Sequence, residues 1–101
     1  MASSKEFKDF ILDQLHSLNG ISFKPMMGEF LLYLNGILFG GIYDDRLLIK
    51  ITNSNKSYHL PEEIPYPGAK PMFMITDVDD AELLKEIIET TLKDLKQKKT
   101  W

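Results

Sequence analysis

The sequence predicts an α+β fold: two layers, with an antiparallel sheet of four to five strands flanked by an N-terminal and a C-terminal helix. Three observations point to it. Near both ends of the chain, apolar residues recur at three- and four-residue spacing, the period of a helix lying on a core. Between those ends, short apolar runs are broken by turn residues, the pattern of a strand meander. At 101 residues the chain has the length of one domain, so residues 1–101 are read as a single folding unit.

Composition sets the class. Hydrophobic residues make up 44% of the chain and charged residues 27%, which supports one core without a covalent staple. Cysteine is absent, excluding disulfides and thiolate metal ligands and fitting a reducing compartment, so a cytoplasmic location is expected. The opening Met1-Ala2-Ser3-Ser4-Lys5-Glu6 lacks the apolar segment of a secretory leader. No stretch approaches the roughly 18 apolar residues of a membrane span, so no membrane partner is expected. A net charge of −3 gives a summed field that repels a phosphate backbone, which argues against direct nucleic-acid binding.

The first helix is placed at about residues 4–18. Ser3 and Glu6 have capping-box spacing, in which the serine oxygen accepts an amide three residues on. Phe7, Phe10, Ile11, Leu15 and Leu18 then form one face, and Asn19-Gly20 supplies the left-handed stop.

The segment from Ile21 to Ile51 is broken at Lys24-Pro25, Gly28, Asn35-Gly36 and Asp44-Asp45, which makes it an antiparallel meander. Asn35-Gly36 is the strongest hairpin signal, because both central residues of a type I′ turn need positive φ; it joins strands 30–34 and 37–43. Asp44-Asp45 joins the latter to strand 46–51. With two-residue turns, side chains sort by parity. Leu31, Tyr33, Leu38, Ile42, Leu47, Ile49 and Ile51 take one face. Phe30, Leu32, Leu34, Ile37, Phe39, Tyr43 and Leu48 take the other, with Arg46 and Lys50. Both faces are apolar, so the sheet is expected to be covered twice: by helix on one side, and by the remaining helix or a second subunit on the other.

Residues 52–70 are polar and turn-rich, with Pro61, Pro65 and Pro67, and read as an ordered loop with a short turn at residues 55–59. Met72-Phe73-Met74-Ile75 is a further strand. Asp79 with Glu82 has the spacing of a second helix start. Leu84, Ile87, Ile88, Thr91, Leu92 and Leu95 form its apolar face, and Lys93, Lys96, Lys98 and Lys99 crowd its far end. It should stop near Gln97, with Thr100 and Trp101 fraying.

Phe23-Lys24-Pro25-Met26-Met27-Gly28-Glu29-Phe30, followed by Leu31-Leu32-Tyr33-Leu34-Asn35-Gly36-Ile37-Leu38-Phe39-Gly40-Gly41-Ile42, resembles the signature of the TfoX N-terminal domain family. In that signature a methionine and glycines precede a strand, then come a tyrosine, a turn glycine and a second strand containing phenylalanine. Arg46 to Lys50, the proline-rich approach to Met72 and the closing helix also fit, so the resemblance spans about residues 7–96. One stretch departs from it: the family's Met-Phe-Gly-Gly reads Met26-Met27-Gly28-Glu29 here. The resemblance implies a helix, an antiparallel sheet and a closing helix in two layers, as in secretion chaperones. It also implies a protein-binding regulator of competence or transcription that does not itself read bases.

No reactive constellation stands beside that resemblance. His16 and His59 have neither paired spacing nor a third ligand, so no metal is assigned. Asp77, Asp79 and Asp80 fail as a calcium loop, since Glu82 stands where glycine and Ile88 where a bidentate acid are needed. Gly36, Gly40, Gly41 and Gly68 form no phosphate cradle, and Gly40-Gly41 inside a strand pattern suggests a bulge or a close helix approach. Ser22, Ser54 and Ser57 lack a nucleophile elbow. No catalytic residue and no cofactor is therefore assigned.

The expected function is a non-catalytic regulatory or adaptor domain working through protein contacts, as a homodimer or with a larger partner. Its interaction residues would be Phe30, Leu32, Leu34, Ile37, Phe39 and Tyr43 of the sheet, with Tyr66 and Lys70 of the proline-rich loop. The alternative is a small-molecule-binding domain or minor enzyme with a pocket between the sheet and loop 62–71.

Overall fold

A computed structural model describes residues 3–97; the expectations for Lys98, Lys99, Thr100 and Trp101 lie outside the described residues. Helix α1 (Lys5–Gln14) and helix α2 (Ala81–Gln97) frame six strands: β1 (Ile21–Met26), β2 (Glu29–Leu34), β3 (Ile37–Tyr43), β4 (Arg46–Ile49), β5 (Glu62–Glu63) and β6 (Met72–Ile75). The fold is α+β with one open antiparallel sheet in the order β1-β2-β3-β4-β6-β5.

Both helices begin one residue later than their capping patterns suggest. Ser4 caps α1, its hydroxyl accepting from the Phe7 amide at 3.1 Å. Asp80 caps α2 by accepting from the Leu83 amide at 3.1 Å. Ser3 is recruited elsewhere: its hydroxyl donates to Glu29 Oε1 at 2.6 Å and accepts from the Asp45 amide at 3.1 Å. Helix α1 stops at Gln14, short of the expected residue 18, yet Leu15 and Leu18 still reach the core through the turns that follow.

The sheet has more strands than the four to five expected. Strand β1 contains Pro25, which pairs with Phe30. Proline is tolerated there because β1 is an edge, where a missing N–H costs no ladder bond on the open side. Three two-residue turns link β1 to β4. Met27 and Gly28 (φ 51° and 85°), Asn35 and Gly36 (52° and 80°), and Asp44 and Asp45 (54° and 55°) all take the left-handed pair of values that a type I′ hairpin requires. The sixth strand is the two-residue β5, which pairs outside β6 through Glu62 with Phe73 and Glu63 with Met72.

A bulge corrects the parity assignment. Leu32 pairs with Gly40 but Tyr33 pairs with Leu38, so Phe39 is the extra residue on β3. One inserted residue exchanges faces for everything beyond it. Phe30, Leu32, Leu34, Ile37 and Phe39 therefore share the helix-covered face with Ile42, Leu47 and Ile49, joined by Phe73 and Ile75. Ile11 and Leu15 of α1 and Leu84, Ile87, Ile88 and Leu92 of α2 close this core.

Gly40 and Gly41 sit beside the bulge for a reason of space. A Cβ on Gly40 would lie 2.2 Å from the Leu48 carbonyl oxygen, and one on Gly41 would lie 2.6 Å from the Phe30 carbonyl oxygen and 2.8 Å from the Tyr43 ring. The close neighbours are strand backbones and a tyrosine ring, in place of the helix considered from sequence.

The outer face carries Leu31, Tyr33, Leu38, Tyr43, Leu48, Met72 and Met74 by alternation from the paired core residues. Leu48 and Tyr43 are buried there and the others are half-buried. The expected second helix is not on this side: both helices pack on the inner face, and the crossover of residues 52–71 returns over part of the outer one.

Candidate functional site

Two surface features stand out on this scaffold, and the first is a cleft beneath the crossover. Its position is fixed at one end by a buried polar knot. Asn55 is fully buried in a 3-10 turn (Ser54–Tyr58). Its Oδ1 accepts from the Thr52 amide at 2.9 Å, and its Nδ2 donates to the Lys50 carbonyl at 2.8 Å and to Thr91 Oγ1 at 2.9 Å. The Thr91 hydroxyl in turn donates to the Ile87 carbonyl at 2.8 Å. Every polar atom of the amide is thus occupied, which ties the start of the crossover to α2.

At the other end Arg46 acts as a clamp. Its guanidinium reaches Glu63 at 3.5 Å and the Ile64 and Pro65 carbonyls at 3.4 and 3.5 Å, while Nε donates to the Tyr43 carbonyl at 3.1 Å. An arginine suits this task because its planar fork spreads donors over several carbonyls. Between knot and clamp lies a cavity of about 540 Å³. Leu38, Ile51 and Met72 give it apolar surface, Tyr43 and Tyr66 give aromatic surface, and Lys50 and Lys70 bring positive charge. The two tyrosine rings are tilted by 50° with centroids 6.2 Å apart. Burial, then the neighbouring Tyr66 and Glu29, push the Tyr43 hydroxyl above its usual pKa, so it stays protonated as a donor.

The second feature is the β1–β2 edge. Met27 is 96% exposed at the tip of its hairpin, and Phe23 is 41% exposed on the edge strand. Phe23 meets Phe30 edge-on at 5.9 Å, and the Lys8 ammonium sits 4.7 Å from the Phe23 ring centre and 5.6 Å from that of Phe30. Lys8 therefore joins α1 to the hairpin by cation–π attraction. The same hairpin is held from below by Glu29, whose carboxylate accepts from Ser3 and from the Asp44 amide at 3.1 Å, and by the Ser3 amide donating to the Gly28 carbonyl at 2.9 Å. Glu29, at the start of β2, thus has a definite partner set.

The side chains named from sequence as an interaction face divide. Leu32, Leu34 and Phe39 are buried in the core beneath the helices, where no partner reaches them in the folded protomer, and the bulge puts Tyr43 on the opposite face from them. Phe30 and Ile37 are half-buried on the margin of the same core. Tyr43, Tyr66 and Lys70 come together in the cleft. Sequence reading missed Lys50 and Arg46 as site residues, although two cations in an otherwise apolar strand were the available signal. It also missed Met27, whose exposure follows from the left-handed turn it occupies.

Elsewhere, His16 Nδ1 lies 2.7 Å from the Asp13 carbonyl oxygen, and His59 closes the 3-10 turn at φ 54°. Among the described residues no group of three or more histidine or acidic side chains is arranged to hold a metal ion. No described helix is long and apolar enough to cross a membrane.

Comparison with known proteins places this geometry in a lineage. Residues 13–95 match the model of the TfoX N-terminal domain. The chain is also 30% identical over 94 residues to an uncharacterized 12.7 kDa protein in the trpE 5′ region of Spirochaeta aurantia, a match that covers 90% of this chain and 82% of the relative.

Proposed function

The chain belongs to the TfoX N-terminal domain family, and from that premise we propose that it is a regulatory or adaptor domain without chemistry of its own, acting through protein–protein contacts in transcriptional or competence control. The supporting observation is Met27. It is an unbranched apolar side chain, 96% exposed, on a backbone with φ 51°. A left-handed conformation costs a non-glycine residue about 1 kcal/mol or more, and full exposure returns nothing to the fold. A side chain held at such cost on the same hairpin as the exposed Phe23, at an open sheet edge, is accounted for by a surface that a partner covers. Methionine suits this role because its flexible thioether adapts to an irregular apolar surface.

The partner is another protein or a second copy of the chain, and the domain acts in the cytoplasm. Cross-linking from a photoreactive group placed at position 27 in the native host, with light scattering on the purified protein, tests the reading. Wild type should cross-link to a discrete protein or to itself, and Phe23→Ser should abolish the product. A protein that is monomeric at high concentration and yields no cross-linked product would refute it.

A further inference from the structure

The open edge of β1 has the chemistry to recognise a copy of itself. We propose that two copies of the chain pair antiparallel along β1, around a two-fold axis through Ser22, and so join their sheets into one. The proposal rests on the reading of the β1–β2 edge as a surface that a partner covers, and identifies that partner as a second copy.

Register decides which backbone groups face outward. The two-residue turn at Met27 and Gly28 makes Met26 and Glu29 a hydrogen-bonded pair, and bonded and non-bonded pairs alternate along an antiparallel ladder. Lys24 and Ser22 therefore bond to β2, whereas Ile21, Phe23 and Pro25 turn their main-chain groups away from it. The 2.9 Å bond from the Asn35 amide to the Gly20 carbonyl keeps the same phase at the far end. Because β1 is the terminal strand of the sheet, no strand among the described residues meets those outward groups. Ser22, Phe23, Lys24 and Pro25 are all exposed.

The outward array is self-complementary. With Ser22 opposite Ser22 of the second copy, Ile21 of each copy faces Phe23 of the other, and both facing pairs exchange N–H···O=C bonds in each direction. Phe23, 41% exposed in the protomer, gains Ile21 of the second copy beside it on one face of the sheet. On the other face the two Ser22 hydroxyls meet across the axis, and Lys24 falls opposite Gly20, so no like charges are opposed. Moving the axis to Phe23 would set the Ile21 carbonyl against Pro25, which has no N–H, and would bring together two Lys8 ammoniums, each 4.7 Å from its own Phe23 ring centre.

Two further features select a second copy over a loose peptide or a filament. Pro25 ends the donor array after Phe23, so a disordered strand would have to become ordered for very few bonds, whereas a second β1 is already held extended by its own β2. The opposite edge of the sheet is β5, with only two residues. It is too short to receive β1 head to tail, so the assembly closes as a dimer and does not run on.

The chain has no cysteine, so single cysteines report the register. Ser22→Cys should give a disulfide-linked dimer under mild oxidation, because opposed residues of a non-hydrogen-bonded pair have Cα atoms about 4.5 Å apart. Lys24→Cys should not, since its two copies would lie about 13 Å apart along the strands. Light scattering should give twice the chain mass at high concentration, and amide exchange at Ile21 and Phe23 should slow as concentration rises. Ser22→Lys and Ser22→Asp should each weaken the dimer several-fold, and mixing the two should restore it. Ser22 is exposed, so these variants keep the fold, which circular dichroism checks. A protein that stays monomeric at high concentration while position 27 still cross-links to a different protein would overturn the pairing and leave the reading of the hairpin surface in place. Disulfide formation at position 24 in preference to 22, or no recovery on mixing, would overturn the Ser22 axis.

Discussion

Replacing Asn55 by alanine tests whether the polar knot holds the crossover in place. The side chain is fully buried and makes three hydrogen bonds, to the Thr52 amide, the Lys50 carbonyl and the Thr91 hydroxyl, all at 2.8–2.9 Å. Its oxygen faces an N–H and its nitrogen faces a carbonyl, so the amide orientation is fixed by its partners. Asn55→Ala removes all three bonds at once and leaves the buried Thr52 amide without its acceptor. At about 1 kcal/mol per bond, and more where a buried group is orphaned, the loss should be about 3 kcal/mol. That is a large share of the roughly 5–15 kcal/mol that holds a domain together. Urea denaturation followed by circular dichroism should show the midpoint falling with little change in slope, and Tm should drop by roughly 12–24 °C. Thr91→Val should cost less, since it breaks one shared bond and the Ile87 contact, and the double variant should cost less than the sum of the two. A loss below about 1 kcal/mol for Asn55→Ala, or strict additivity with Thr91→Val, would refute the view that these residues act as one network.

Gly40→Ala should destabilise by about 2 kcal/mol or more, because the added carbon meets the Leu48 carbonyl at 2.2 Å and backbone cannot step aside cheaply; a variant with wild-type Tm would show that the strands have room there. Met27→Asn should raise stability by about 0.5–1 kcal/mol, since asparagine tolerates the φ of 51° better and the exposed side chain packs on nothing in the protomer; thermal melts would contradict this if Tm fell. Arg46→Met keeps the aliphatic stem but loses the contacts to Glu63, Ile64 and Pro65, so hydrogen exchange over residues 62–67 should quicken several-fold while α2 stays protected; uniform exchange would remove the clamp from the account. The Ser54 amide holds the Asp94 carboxyl below its ordinary pKa. Its folded value being lower than its unfolded one, its contribution is present above about pH 4 and is lost as pH falls through the folded value. Asp94→Asn should therefore flatten the acid limb of the stability profile, and an unaltered limb measured by urea titration would count against the contact.

Local signals carried most of the fold. The two helices, the Asn35-Gly36 and Asp44-Asp45 hairpins and the strand at Met72–Ile75 follow from spacing and turn chemistry, because each is decided by neighbours in the chain. Strand β1 was read as a broken segment because Pro25 argues against a strand unless that strand is known to lie at an edge, and edges are a tertiary fact. The sorting of side chains failed at Phe39, where a single bulged residue changes the period without any composition cue beyond the adjacent glycines. The pocket between sheet and loop was legible in outline from Tyr66 and Lys70. Its closure was not, since Arg46 bridges 17 to 19 positions of sequence and Asn55 bridges 36 to Thr91.

The three left-handed turns leave no slack anywhere between Ile21 and Ile49. Each connection is already at the minimum length for a hairpin, so one residue gained or lost there would turn the rest of the ribbon inside out. The crossover is tied at the Asn55 knot, by the β5–β6 pairing and by the Arg46 clamp, and its contour can vary beyond them in the exposed turn at residues 66–68. A residue gained or lost there reshapes the roof of the cleft and leaves the register of its floor unchanged.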